Sequence, residues 1–225
     1  MHVSECNIVA RTLLLDLDGT LVDTVPDLTA ALNRLMRSRH LPDFSREQVT
    51  AMVGDGIAVL TSRAFGAHGR NPDPEAVAEL AADYTDHVAV HSRLYPGVLP
   101  ALTGLTDQGW RLAVCTNKPE LAARALLRAM GLLPLLCAIG GGDSFPVRKP
   151  DPGHLLATLI LARGQAEAAV MVGDHHNDVV SAAGVGIPSI FAAWGYGTAS
   201  MAEGSSAVAS GMAEAAEIAN RLLPP

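Results

Sequence analysis

Two aspartates stand two residues apart in Asp16-Leu17-Asp18-Gly19-Thr20, directly after an apolar run at 12–15. Further along the chain come Thr116-Asn117-Lys118, then Arg148-Lys149-Pro150, then Gly173-Asp174 with Asn177-Asp178 just beyond. Phosphoryl transfer is the chemistry that such a set suits. A phosphomonoester dianion repels nucleophiles until a hard cation neutralises it, and carboxylate oxygens are the donors that Mg²⁺ prefers. Two carboxylates beyond one strand end can divide the work, one attacking phosphorus and the other handling the proton. A lysine ammonium would hold the nucleophile and the phosphoryl group together. The lysines support this. Of 16 basic residues only Lys118 and Lys149 are lysine, the rest being arginine. A compact ammonium among planar guanidinium forks points to a site that needs the smaller cation.

These residues need elements to bring them together. Short apolar runs at 12–16, 111–116, 136–141, 169–174 and 188–193 read as buried parallel strands. Helical patterns at 100–109, 119–131, 152–164 and 177–186 alternate with them, several bounded by Pro at the start and Gly at the end. That alternation predicts a parallel sheet covered on both faces, with ligands beyond the carboxyl ends of the strands. One connection is far too long for a βαβ unit. Its excess, 25–95, contains no convincing strand and reads as four helices at 27–39, 45–53, 57–67 and 74–93. The spacing therefore predicts a core formed by 1–24 and 96–225 with a helical cap at 25–95, entered through VDTVP and left through LYPG. The small-residue stretch 197–216 reads as a loose loop before a last helix ending near Leu223.

The motifs DLDGT at 16–20, a Thr after the second strand, a Lys some thirty residues on, and GDxxxD at 173–178 match in order those of the haloacid dehalogenase-like superfamily, which this chain resembles. The likeness covers nearly the whole chain, including a cap in the C1 position. Within that superfamily LLLDLDGTLVDTVPDL, YPGVLPAL, VCTNKP, GGDSFPVRKPDP and MVGDHHNDVVSA look most like phosphoglycolate phosphatases. The resemblance implies a Rossmann-like α/β core and a Mg²⁺-dependent hydrolase of a small phosphorylated metabolite, with 2-phosphoglycolate leading. It implies that Asp16 is nucleophile and metal ligand, and that Asp18 is the acid/base whose backbone carbonyl also ligates. Thr116 and the Asn117 backbone would bind phosphoryl oxygens, Lys149 would hold the phosphoryl group and Asp16, and Asp174 and Asp178 would complete the metal site. His175 departs from the pattern, where Ser is usual. A phosphosugar mutase of the same superfamily would use the same motifs, and a non-catalytic binding protein would be expected to lack one of the carboxylates.

Other features carry less. In the cap, Gly54-Asp55-Gly56 opening a helix at Ile57 could bring backbone N–H groups to an anion, with Arg63 or Lys118 adding a cation; an ordinary helix–helix turn is the alternative. His87 and His91 lack the Glu of HExxH, and Gly140-Gly141-Gly142 is not followed by GxxxxGK[ST]. The pair His175-His176 reads as a satisfied loop, Cys115 as a core residue, and Asp23 and Asp143 as bystanders. A net charge of −7 with scattered arginines offers no footprint for nucleic acid. No run is long enough for a membrane span, MHVSECNIVAR does not read as a signal peptide, and three cysteines without CxxC spacing suit a reducing cytoplasm.

Overall fold

In the computed structural model, residues 10–225 are described; Cys6 and most of MHVSECNIVAR lie outside them. Four consecutive fully buried residues form β1 (Thr12–Leu15), and strict alternation sends Leu13 and Leu15 to one face of the sheet and Leu14 to the other. β4 (Arg111–Cys115), β5 (Leu136–Gly140), β6 (Ala169–Gly173), β7 (Ser189–Ala192) and β8 (Ala207–Ala209) complete a six-stranded sheet in the order β5-β4-β1-β6-β7-β8. Every pairing is parallel. β1 lies between β4 and β6, so the chain leaves it to opposite sides, which is where an open α/β sheet forms its crevice.

Helices α7 (Pro152–Leu161) and α8 (His176–Val185) cover the Leu14 face. On the Leu13 face the larger core gathers α5 (Val98–Asp107), α6 (Glu120–Ala129) and α9 (Met212–Leu222). The segment after β1 forms α1 (Val25–Ser38), α2 (Arg46–Thr50), α3 (Ile57–Ala67) and α4 (Ala76–Asp86), joined into the same core, with α4 lying against α6. Among the described residues no helix is long and apolar enough to cross a membrane.

Three readings are corrected. The fourth helix ends at Asp86 instead of running to 93, because the His87 ring bonds the Asp83 carbonyl at 2.8 Å and competes for a helical acceptor. The segment 25–95 does contain a strand: β2 (Val22–Asp23) pairs antiparallel with β3 (Arg93–Leu94), tying entry and exit together. The supposed loose loop contains β8, an Ala-Val-Ala edge strand whose composition gives little strand signal.

Asp27, only 1% exposed, locks this junction. From the first turn of α1 its carboxylate accepts the N–H groups of His91 (2.9 Å) and Ser92 (2.8 Å) and the Ser92 hydroxyl (2.7 Å). Asp27→Ala leaves these donors stranded, and should lower unfolding free energy by about 2–4 kcal/mol. Urea denaturation checks this, and a midpoint unchanged from wild type would show that the junction holds without the carboxylate.

Candidate active site

Asp16 follows β1, with its N–H bonded to the Val172 carbonyl of β6 at 2.9 Å. The chain then turns sharply, the Leu17 carbonyl accepting the N–H groups of Leu21 (3.0 Å) and Val22 (3.1 Å). Gly19 makes this possible at φ +83°, and a Cβ there would lie 2.2 Å from the Asp174 carboxylate. The Thr20 hydroxyl donates to Asp174 Oδ1 at 3.0 Å and the Tyr196 N–H to Oδ2 at 2.7 Å. Asp178 stands in the first turn of α8, where Oδ2 accepts the His175 N–H at 3.1 Å. His175 caps that helix itself, Nδ1 accepting the Asn177 N–H at 3.2 Å. The imidazole thus does the work of the usual Ser at an N-cap.

Oxygens of Asp16, Asp174 and Asp178, all buried, lie within 4.8 Å of one another. Lys149 places Nζ 2.5 Å from Asp178 Oδ1 and 3.0 Å from Asp16 Oδ1. The second contact is not aligned as a hydrogen bond, so Asp16 Oδ1 keeps no hydrogen-bond donor among the described residues. One ammonium does not neutralise three carboxylates. Burial and then the Asp16 charge raise the pKa of Asp174; burial, opposed by Lys149 and aided by Asp16, raises that of Asp178. An all-oxygen donor set with an unbonded oxygen and excess negative charge fits a hard divalent cation.

Asp18 faces elsewhere. Its carboxylate stays out of this cluster and receives Lys118 Nζ at 2.9 and 3.2 Å. Both aspartates line a cavity of about 50 Å³ together with Thr116, Asn117 and Lys118. On the present measure a water takes roughly 10–15 Å³, so the space suits a leaving group of a few heavy atoms. Gly54, Gly56, Ile57 and Tyr84 close it from the helical segment.

The Gly54-Asp55-Gly56 turn is fastened to the core. The Gly54 carbonyl accepts from Asn117 Nδ2 (3.0 Å) and Asn177 Nδ2 (3.3 Å), and Asn117 Nδ2 also reaches the Lys149 carbonyl at 2.9 Å. Gly54 has φ +125°, and a Cβ would lie 2.6 Å from the His175 ring. Asp55 turns aside to Asn177 (2.8 Å) and Arg63 (2.5 Å). The Arg63 expectation needs correcting here. Its guanidinium is taken up by Asp55 and the Met52 carbonyl, on an outer groove and not on the cavity. Lys118 is the only lysine or arginine lining the cavity among the described residues.

Sequence reasoning missed Tyr84 and Tyr196, and it quoted Thr20 and Asn177 beside the motif aspartates without giving either a part. The Tyr196 hydroxyl accepts the N–H groups of Thr24 (2.6 Å) and Val25 (3.1 Å), and donates to Asp23 Oδ1 (2.8 Å), which gives Asp23 a structural part. Asp143 caps α6 instead, accepting the Glu120 N–H at 2.7 Å. The overlooked signal was scarcity. The chain has 3 tyrosines, and Tyr84 and Tyr196 both line the cavity.

A model of the haloacid dehalogenase-like hydrolase family matches residues 10–186. The phosphoglycolate phosphatase of Mesorhizobium japonicum is 41% identical over 188 residues, covering 82% of this chain and 83% of the relative. That of Rhodospirillum rubrum is 39% identical over 194 residues, covering 83% and 80%. The crystal structure of a predicted phosphoglycolate phosphatase from Haemophilus somnus superposes with a TM-score of 0.86 at 28% identity, covering 93% of this chain and 97% of that one.

The carboxylate cluster makes stability depend on pH. The folded-state pKa values of Asp174 and Asp178 lie above the ordinary carboxylate value of ~4, so above that value the folded state holds more protons than the unfolded chain. Their contribution is full at low pH and is lost as pH rises through the raised values. In EDTA the urea midpoint should fall between pH 5 and pH 7.5, and should fall less in Asp174→Asn. Parallel declines in the two proteins would contradict this.

Proposed function

The chain belongs to the haloacid dehalogenase-like hydrolase family and is a phosphoric monoester hydrolase, and from that premise we propose that it hydrolyses 2-phosphoglycolate with Mg²⁺ through an aspartyl phosphate on Asp16. Residues 25–95 serve in this reading as a cap domain over a core formed by 1–24 and 96–225. The observation that carries it is the division of two neighbouring carboxylates. Asp16 belongs to the acidic cluster with Lys149, while Asp18 lies outside that cluster against Lys118.

Asp16, Asp174, Asp178 and the Asp18 carbonyl would hold the magnesium ion. When bound, that ion supplies charge neutralisation for the phosphoryl oxygens and for the attacking carboxylate. The hydroxyl of Thr116 and the backbone of Asn117 bind the phosphoryl oxygens, with Lys149 balancing their charge. Asp16 attacks phosphorus as the bond to the glycolate oxygen breaks, and Asp18 gives that oxygen its proton. Asp18 then takes a proton from the water that cleaves the aspartyl phosphate, returning Asp16 as carboxylate and releasing inorganic phosphate. The small cavity with Lys118 as its cation suits a leaving group that is short and bears a carboxylate. Relatives around 40% identical that are named phosphoglycolate phosphatases point the same way.

Phosphate release from 2-phosphoglycolate, ethyl phosphate and glucose 1-phosphate tests the assignment. Release should be fastest from phosphoglycolate, should stop in EDTA and return with Mg²⁺, and should need no added sugar bisphosphate. A requirement for bisphosphate with little net phosphate would instead identify a mutase. Asp16→Asn should lower kcat by at least ~1000-fold, the scale of deleting a nucleophile. Retention of a tenth of wild-type activity would remove Asp16 from that role.

A further inference from the structure

Lys118 has two hydrogen-bond partners for its ammonium, and one comes from the helical segment. Nζ donates to Asp18 and, at 2.6 Å, to the Tyr84 hydroxyl, and it lies 4.2 Å from the centre of the Tyr84 ring. An ammonium has three donors. Both Asp18 oxygens, at 2.9 and 3.2 Å, and the Tyr84 hydroxyl accept from it, and the side chain lines the cavity, where an entering anion could take over the longer Asp18 bond. The Lys118 side chain is 3% exposed, so its charge is largely out of water. A second anion in the cavity would compensate that burial. The other arginines of this region do not compete, since Arg63 and Arg148 line the outer groove.

Tyr84 is placed with little freedom. It is 1% exposed and follows Ala76 and Leu80, both fully buried, at four-residue spacing along the inner stripe of α4. Its neighbour Asp83 is paired with Arg34 of α1 at the surface, with Nε 3.0 Å from Oδ1 and Nη2 2.6 Å from Oδ2. The hydroxyl therefore meets the ammonium at a set point, and the ring presents its face to the same cation.

We propose that Tyr84 is a positioning residue for substrate choice, holding the Lys118 ammonium at the cavity wall so that it receives the carboxylate of the leaving group. The helical segment selects the substrate in this way through a core lysine, with no charged side chain of its own in the cavity. The inference rests on the reading that the substrate carries a carboxylate beside its phosphoryl group.

The test compares kcat/KM for 2-phosphoglycolate with kcat/KM for ethyl phosphate, which has no second charge, at saturating Mg²⁺. Their ratio does not depend on the concentration of active enzyme, so partial misfolding of a variant does not distort it. Tyr84→Phe keeps the ring and removes only the acceptor. The ratio should fall about tenfold, mainly through KM for phosphoglycolate, the scale of one hydrogen bond to a charged group. In a Lys118→Met background, adding Tyr84→Phe should leave the ratio where Lys118→Met alone set it. A wild-type ratio near one overturns both this inference and the phosphoglycolate reading. A clear wild-type preference that survives Tyr84→Phe overturns this inference alone, as does a further tenfold fall in the Lys118→Met background.

Discussion

Three buried carboxylates that repel one another constrain everything around them. Asp16, Asp174 and Asp178 hold oxygens within 4.8 Å, and Lys149 offsets only one charge. Such a cluster survives folding only if every other group nearby donates to it. Asp174 draws on the Thr20 hydroxyl and the Tyr196 N–H, and Asp178 on Lys149 and the His175 N–H. The loops that provide these donors come from four different strand ends, those of β1, β5, β6 and β7. Their convergence requires β1 and β6 to be neighbours, which the sheet order delivers. Glycine at 19 is part of the same demand, since any side chain would collide with Asp174.

Besides the hydrophobic core it shares with the sheet, the helical segment is tied to this cluster by short polar links. Asn117 lies just beyond β4, two residues after Cys115, and Asn177 stands between Asp174 and Asp178; both donate to the Gly54 carbonyl. Tyr196 bonds Asp174 through its backbone and the start of α1 through its hydroxyl. Residues flanking the carboxylates thus also hold the Gly54 turn and the start of α1. Rearrangement of the carboxylate loops on taking up a cation and a phosphoryl group would be felt at Gly54 and at Thr24 through bonds of 3.3 Å or less.

The chemistry-bearing residues were legible because charge in a mostly apolar chain is conspicuous and because strand ends announce themselves. Asp16, Asp174 and Asp178 meet as their positions after apolar runs imply, and the rarity of lysine marked both site lysines. What escaped notice was polar work done by residues that read as ordinary core. Tyr84 falls in a helix whose period explains it as packing, and only its hydroxyl, at the buried end, meets Lys118. Asp27 reads as an exposed first-turn acid, yet it is buried because the far connection folds back on it. β2 and β3 are too short to produce an alternating pattern, and their pairing is set by Asp27 and by the Tyr95 N–H bonding the Leu21 carbonyl at 3.1 Å. Arg63 was misjudged because charge alone does not say which anion a guanidinium will find, and Asp55, eight residues earlier, was nearest.

The two lysines show how environment separates side chains that the sequence presents as equals. Around Lys149 burial is outweighed by Asp16 and Asp178, so its pKa is raised and its charge is fixed under all ordinary conditions. Around Lys118 burial outweighs Asp18, and its pKa is lowered. The first cation is therefore over-compensated by its surroundings and suits a permanent counter-charge at the reacting centre. The second is under-compensated, so it has affinity left for an anion that enters the cavity. The two aspartates divide in parallel. Asp16 sits among carboxylates, where a cation is wanted, and Asp18 sits between Lys118 and the cavity, where a proton can be exchanged with a leaving oxygen. A lysine at 149 and one at 118 are not interchangeable, because the first is held among the carboxylates of the cluster and the second between Asp18 and Tyr84 at the cavity wall. In the proposed reading the second, held by Tyr84, would meet the part of the substrate that differs between phosphomonoesters.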